Sequence, residues 1–174
     1  MTNAQPYLRA AKAALVGLAL IGLAGCAMDK EAEVRERLGD WVSLGDTTYF
    51  NSSMSCTAAV FEVDGLRITS LISKARSIAT GMTLLEDGKA VAFDVKGLSP
   101  NGVSEQIMTQ NLSRGLGVLS SGVAGKDCMT DDIKQAYLRS LLDPNSVLMF
   151  DPNGNVMAVL DRAKKQLFFS RGTV

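Results

Sequence analysis

The chain contains no histidine. That removes the usual general base near neutral pH, the commonest zinc or copper ligand, and every Ser-His or Cys-His catalytic pairing. Neither Ser-x-x-Lys nor Gly-x-Ser-x-Gly occurs, so those two acyl-transfer patterns are absent as well. Aromatic residues make up only 6% of the chain, and Lys plus Arg equal Asp plus Glu at 18 each. A nucleic-acid binder would cluster its basic residues among aromatics. Here the densest basic group, Arg162, Lys164 and Lys165, reads as a solvated hairpin loop, so no nucleic-acid partner is expected. The most apolar stretch, residues 13–23, is broken by Gly17 and Gly22. It falls well short of the roughly 20 apolar residues that span a bilayer.

What is present begins with that short stretch. Arg9 and Lys12 precede it and Leu23-Ala24-Gly25-Cys26 closes it, giving the positive, apolar and small-residue zones of a secretory address. The LAGC run resembles the lipobox of bacterial lipoproteins, in which the cysteine is lipid-modified and becomes the first residue of the mature chain. The resemblance implies that residues 1–25 are a signal peptide, that 26–30 form a lipidated N-terminus and short tether, and that 31–174 are a periplasmic domain. Membrane lipid, through acyl chains on Cys26, is then the first partner. Ala27 follows the lipidated position, and the sorting rule of enteric bacteria retains at the inner membrane chiefly lipoproteins with aspartate there. The expected location is the outer membrane, facing the periplasm.

Cleavage before Cys26 removes Arg9 and Lys12 and no acid, leaving a nearly neutral chain with two more acidic than basic residues. Its length suits one domain. Of three cysteines, assigning Cys26 to lipid leaves Cys56 and Cys128 as an even pair, which in an oxidising periplasm most simply form one disulfide. The alternative, a reactive thiol, lacks a C-x-x-C pair and a histidine to lower its pKa.

Along the domain, Val34, Leu38, Trp41 and Val42 share one helical face, with Asp29 placed to cap the helix and Gly39 to end it. Its mixed charges disfavour lying on an anionic membrane, so the helix is expected to pack on its own domain around the only tryptophan. Residues 47–50 and 56–63 read as strands joined by a polar loop. Ile68, Leu71, Ile72, Ala75, Ile78, Ala79 and Met82 follow a 3.6-residue repeat and predict an amphipathic helix over 68–82. Asp87-Gly88 between the apolar runs 83–85 and 90–95 predicts a hairpin.

Ser99-Pro100 opens a second helix, with Val103, Ile107, Met108, Leu112, Leu116 and Leu119 on its inner side and Gly115 and Gly117 weakening its second half. Residues 120–126 read as a flexible loop. Thr130, with Asp131 and Asp132 behind it, starts a third helix that carries Ile133, Tyr137, Leu138, Leu141 and Leu142 inward. Residues 147–150, 156–161 and 166–170 form a three-stranded meander. The order points to a single α+β domain: an antiparallel sheet with helices packed on one face.

Other motifs do not mature into sites. Asp151-x-Asn153-x-Asn155 opens like a calcium loop, but Val156 replaces the required glycine and Arg162 the bidentate glutamate, so a hairpin turn is expected. Gly115-x-Gly117 follows no strand and lacks the ending of a phosphate loop. Asn111-Leu-Ser-Arg114 has a faint likeness to the peptidoglycan-binding helix of OmpA-like domains. The methionines are scattered like core filler, not grouped as a soft-metal box. No cofactor, metal site or catalytic residue is assigned.

Gly39-x-Trp41, Cys56 and the block Val147 to Gly154 with Val156 and Phe168 resemble the first and last segments of the small β-barrel protease-inhibitor lipoproteins of alpha-proteobacteria. That resemblance implies a barrel and protease inhibition. The leading expectation is instead a lipid-anchored, non-catalytic binding or assembly module with an envelope protein partner. An envelope hydrolase working through Asp, Glu, Ser or Lys is the other alternative.

Overall fold

Residues 147–150, 156–160 and 167–169 are almost wholly apolar, with no polar alternation. Strands of that kind are buried on both faces. The computed structural model, which describes residues 28–172, has them at the centre of a seven-stranded sheet. The strands are β1 (Leu44–Ser52), β2 (Cys56–Val63), β3 (Ser73–Ala75), β4 (Val91–Phe93), β5 (Val147–Asp151), β6 (Val156–Asp161) and β7 (Gln166–Gly172). Their spatial order is β1-β2-β7-β6-β5-β4-β3, and every pair is antiparallel except β3 with β4. The helices are α1 (Glu31–Gly39), α2 (Ile78–Glu86), α3 (Pro100–Gln110), α4 (Leu112–Ala124) and α5 (Asp131–Leu142), with a 3-10 turn at Gly125–Cys128. Leu23, Ala24, Gly25 and Cys26 lie outside the described residues.

The α+β class and the C-terminal meander are as the sequence indicates. The sheet differs in two respects. One edge carries a parallel pair, and both faces are covered. On the first face, α2 to α5 pack over Ala58 and Val60 of β2, Phe93 of β4, Leu148 and Phe150 of β5, Val159 of β6 and Phe168 of β7. On the second, α1 with Trp41 and Val42, and the segment holding Ile68 and Ile72, cover Phe61, Met149, Leu160, Leu167 and Phe169. Trp41 and Leu38 are buried there, so α1 packs on its own domain as expected. The sheet is open, with β1 and β3 as edges. A closed barrel of the inhibitor type is therefore not this fold.

Three local expectations are overturned. No helix spans 68–82: Thr69 N–H donates to Trp41 O at 2.9 Å and Ser73 N–H to Ala90 O at 3.1 Å, so that backbone is spent on tertiary contacts. The helix starts at Ile78, where Ser77 Oγ accepts from Thr80 N at 3.2 Å and caps it. Residues 83–85 complete this helix, and Asp87-Gly88 ends it. Gly88 at φ +72°, with Gly88 N donating to Leu85 O at 3.0 Å and Lys89 N to Leu84 O at 3.0 Å, forms a Schellman stop where a hairpin was expected. Finally, 120–126 is mostly α4 and the start of the 3-10 turn. Its glycines allow close packing: a Cβ on Gly125 would stand 1.8 Å from Ser170 Oγ.

Two caps also differ. Asp29 does not cap α1; its Oδ2 accepts from Thr57 Oγ1 at 2.7 Å and pairs with Arg171 Nη2 at 2.9 Å. Thr130 precedes α5 as expected, but its hydroxyl is engaged by the Asp132 carboxylate and not by the helix backbone.

Candidate functional site

Ser99 Oγ accepts from Gly102 N at 3.2 Å and Pro100 occupies the first turn, so α3 begins where the sequence places it. It does not continue to Leu119. At Asn111 the backbone leaves helical values (φ −148°, ψ 99°), and the Asn111 side chain accepts from Arg114 N at 3.1 Å to cap a new helix, α4. That restart resets the helical phase. Small residues now face inward: Gly115, Ser121 and Gly122 are buried together with Val118. Leu112, Leu116, Leu119 and Val123, at i, i+4, i+7 and i+11, are left exposed, Leu112 at 61%. The three leucines expected inside thus stand outside.

The same happens on α5. Tyr137 is buried and Ile133 and Leu141 are partly covered, but Leu138 and Leu142 are exposed at 43% and 65%. Between α4 and α5 lies a groove enclosing a cavity of about 130 Å³, lined by Ser104, Leu119, Val123, Tyr137, Leu138 and Leu141 among others. Tyr137 lies fully buried along it, its hydroxyl donating to Met157 Sδ at 3.7 Å. Burial pushes this phenol well above its ordinary pKa, so it stays a neutral donor. Lys126 lines the groove too and belongs to none of the ion pairs formed among the described residues. The arrangement is a largely apolar slot with the Lys126 ammonium at its lining.

A cavity of about 230 Å³ lies between α5 and the β6–β7 turn, with Arg139, Asp143, Asp161 and Lys164 among its lining residues. Two carboxylates and a lysine there invite a catalytic reading. Asp161, however, uses one oxygen to accept from Ser140 Oγ at 2.6 Å and the other from Lys164 N at 2.8 Å. Ser140 is 1% exposed, leaving its hydroxyl no route to a substrate. These bonds tie the turn to α5. Nearby, Arg162 forms a bidentate pair with Asp94, 2.9 Å at each contact. That hydrogen-bonded guanidinium, against the opposing effect of burial, holds the Asp94 carboxyl below the ordinary carboxylate range.

Cys56 and Cys128 are joined in a disulfide, Cα to Cα 5.8 Å, across 72 residues. It links the start of β2 to the 3-10 turn after α4. Among the described residues no three His, Cys, Asp or Glu side chains group as a metal ion would need, and no helix is long and apolar enough to cross a membrane. No known protein family, no curated protein and no solved structure matches the chain.

Proposed function

We propose that this protein is a bacterial envelope lipoprotein, anchored through acyl chains on Cys26 in the outer membrane and facing the periplasm, and that it serves as a non-catalytic docking module. The observation that carries the docking role is the exposed apolar stripe of α4, Leu112 to Val123, whose C-terminal part, Leu119 and Val123, lines a groove with Leu138 and Leu141 of α5. Monomeric soluble proteins rarely leave such a surface contiguous without a use for it. The stripe spans twelve residues, about 16 Å along the helix, the length of an amphipathic partner helix laid into a groove. Lys126 selects for an acidic side chain beside that helix's apolar face. The occupant is therefore an amphipathic, acidic helix of another envelope protein. LAGC supports the anchor, and the loss of histidine from the catalytic repertoire supports a binding role.

The test places a photo-crosslinking residue at Leu138 in the full chain in its native cells. A discrete adduct that disappears with Leu119→Glu and weakens with Lys126→Glu, in protein that still forms its disulfide, is the expected result. An adduct of twice the chain's own mass would mean that a second copy fills the groove, against the proposal. So would an adduct indifferent to both substitutions, or none at all. Cys26→Ala tests the anchor separately: it should move the protein from the membrane to the soluble fraction.

A further inference from the structure

We infer that the end of the sheet formed by the β1–β2 loop and the entering chain is a bilayer-contacting surface with Met54 at its tip. This rests on the lipid anchor proposed above and adds what the anchor alone does not give, a fixed orientation. The key residue is Asp29. Its carboxylate is clamped by Thr57 Oγ1 at 2.7 Å and Arg171 Nη2 at 2.9 Å, tying the chain to β2 and β7 at one end of the sheet. Only three peptide units separate it from Cys26, a span of at most about 10 Å. A flexible tether of twenty residues would let the domain roam about 25 Å. Here the sheet end that holds Asp29 cannot leave the headgroup region.

The same end presents a surface suited to that place. Ser52 pairs with Thr57 across the β1–β2 turn, so the loop projects immediately beyond the residue that binds Asp29. Met54 is 76% exposed and Met28 54% exposed. Around Met54 the loop residues Asn51, Ser52, Ser53 and Ser55 carry no charge. They are also held from behind: Asn51 Nδ2 donates to Cys128 O at 3.0 Å, Ser52 and Thr57 hydroxyls meet at 2.9 Å, and Ser53 Oγ donates to Cys56 O at 3.2 Å. The disulfide stands directly beneath. Beside the entering chain Asp29 pairs with Arg171 and Lys30 with Glu33, while Glu31 belongs to none of the ion pairs formed among the described residues. A rigid, neutral loop with an apolar tip enters a lipid interface without carrying an unpaired charge into it.

The experiment uses the mature lipidated protein in vesicles made with or without brominated acyl chains. Tryptophan is introduced as Met54→Trp or, at the opposite end of the strands in the β6–β7 turn, as Ala163→Trp; emission is read as the difference from the parent protein, whose only mature tryptophan, Trp41, is buried. The expected result is a roughly twofold loss of the Met54→Trp difference signal in brominated vesicles and little change for Ala163→Trp, as for a side chain seated at the acyl boundary. Asp29→Ala, which cuts the clamp but leaves the anchor, should narrow the gap between the two positions. Vesicle-bound protein with no quenching at position 54, or equal quenching at both positions, overturns the orientation while leaving the anchor standing. Protein that does not associate with vesicles at all overturns the anchor, and the orientation with it.

Discussion

Gly115 and Gly117 look alike in the sequence, each a glycine that costs a helix about 1 kcal/mol relative to alanine. Their surroundings make them opposites. A Cβ on Gly115 would lie 2.4 Å from Met108 Cα and 2.1 Å from its Cγ, where α4 folds back on α3, and backbone cannot yield as a flexible side chain can. At Gly117 the nearest atom is Phe150 Cζ at 4.0 Å, an ordinary contact. Gly115→Ala should therefore destabilise by about 1–3 kcal/mol through overpacking, whereas Gly117→Ala should stabilise by about 0.5–1 kcal/mol. Urea midpoints measure both, and shifts of the same sign would remove the close approach of α3 and α4. Ordinary propensity separates residue types, not neighbours. That is why the small residues Gly115, Ser121 and Gly122 read as a weakened helix running into a flexible loop although they are the packed face of α4.

At the scale of elements, legibility follows how local the determining contacts are. The start of α3 at Ser99-Pro100 and the turns of the meander are set by side chains within three or four residues of the backbone they satisfy, and the sequence displays them. The 68–82 segment is set from outside. Its apolar period is helical, but Trp41 and Ala90 take its backbone bonds, and nothing near residue 69 announces a partner 28 residues away. The disulfide was legible by counting, since one cysteine had a separate assignment. What it connects was not: it pins β2 to the turn in which α4 ends, two elements whose adjacency comes only from the fold. Replacing both Cys56 and Cys128 by alanine should cost about 2–4 kcal/mol, chiefly by loosening the unfolded chain. Chemical denaturation of the oxidised protein and the double variant, with intact mass to show the two-hydrogen difference between oxidised and reduced forms, checks this. Equal stability would mean that the bond constrains nothing the rest of the fold does not already constrain.

For the whole molecule the decisive property is that one sheet serves two cores. Alternate residues of β5 divide between them, Leu148 and Phe150 to the helical side, Val147 and Met149 to the side of α1. Neither core can dissolve without exposing the back of the other. The candidate groove follows from the same economy: α4 and α5 each bury only a narrow face against the sheet, and their remaining leucines stay exposed. Sequence periodicity marked those leucines as apolar but assigned them inward, because it carried the phase of α3 through the break at Asn111. Two intrinsic probes test the shared sheet. Trp41 lies in the core beneath α1, while Tyr137 lies in the core on the helical side and Tyr49 is partly buried against that same core. Thermal unfolding followed by tryptophan fluorescence and by the near-ultraviolet tyrosine band should give coincident transitions, as for a two-state domain. Leu38→Ala on one face and Ile107→Ala on the other, each costing about 2–5 kcal/mol, should move both signals together. If Leu38→Ala shifts the tryptophan transition and leaves the tyrosine band in place, the two faces are separate cooperative units and the sheet does not couple them.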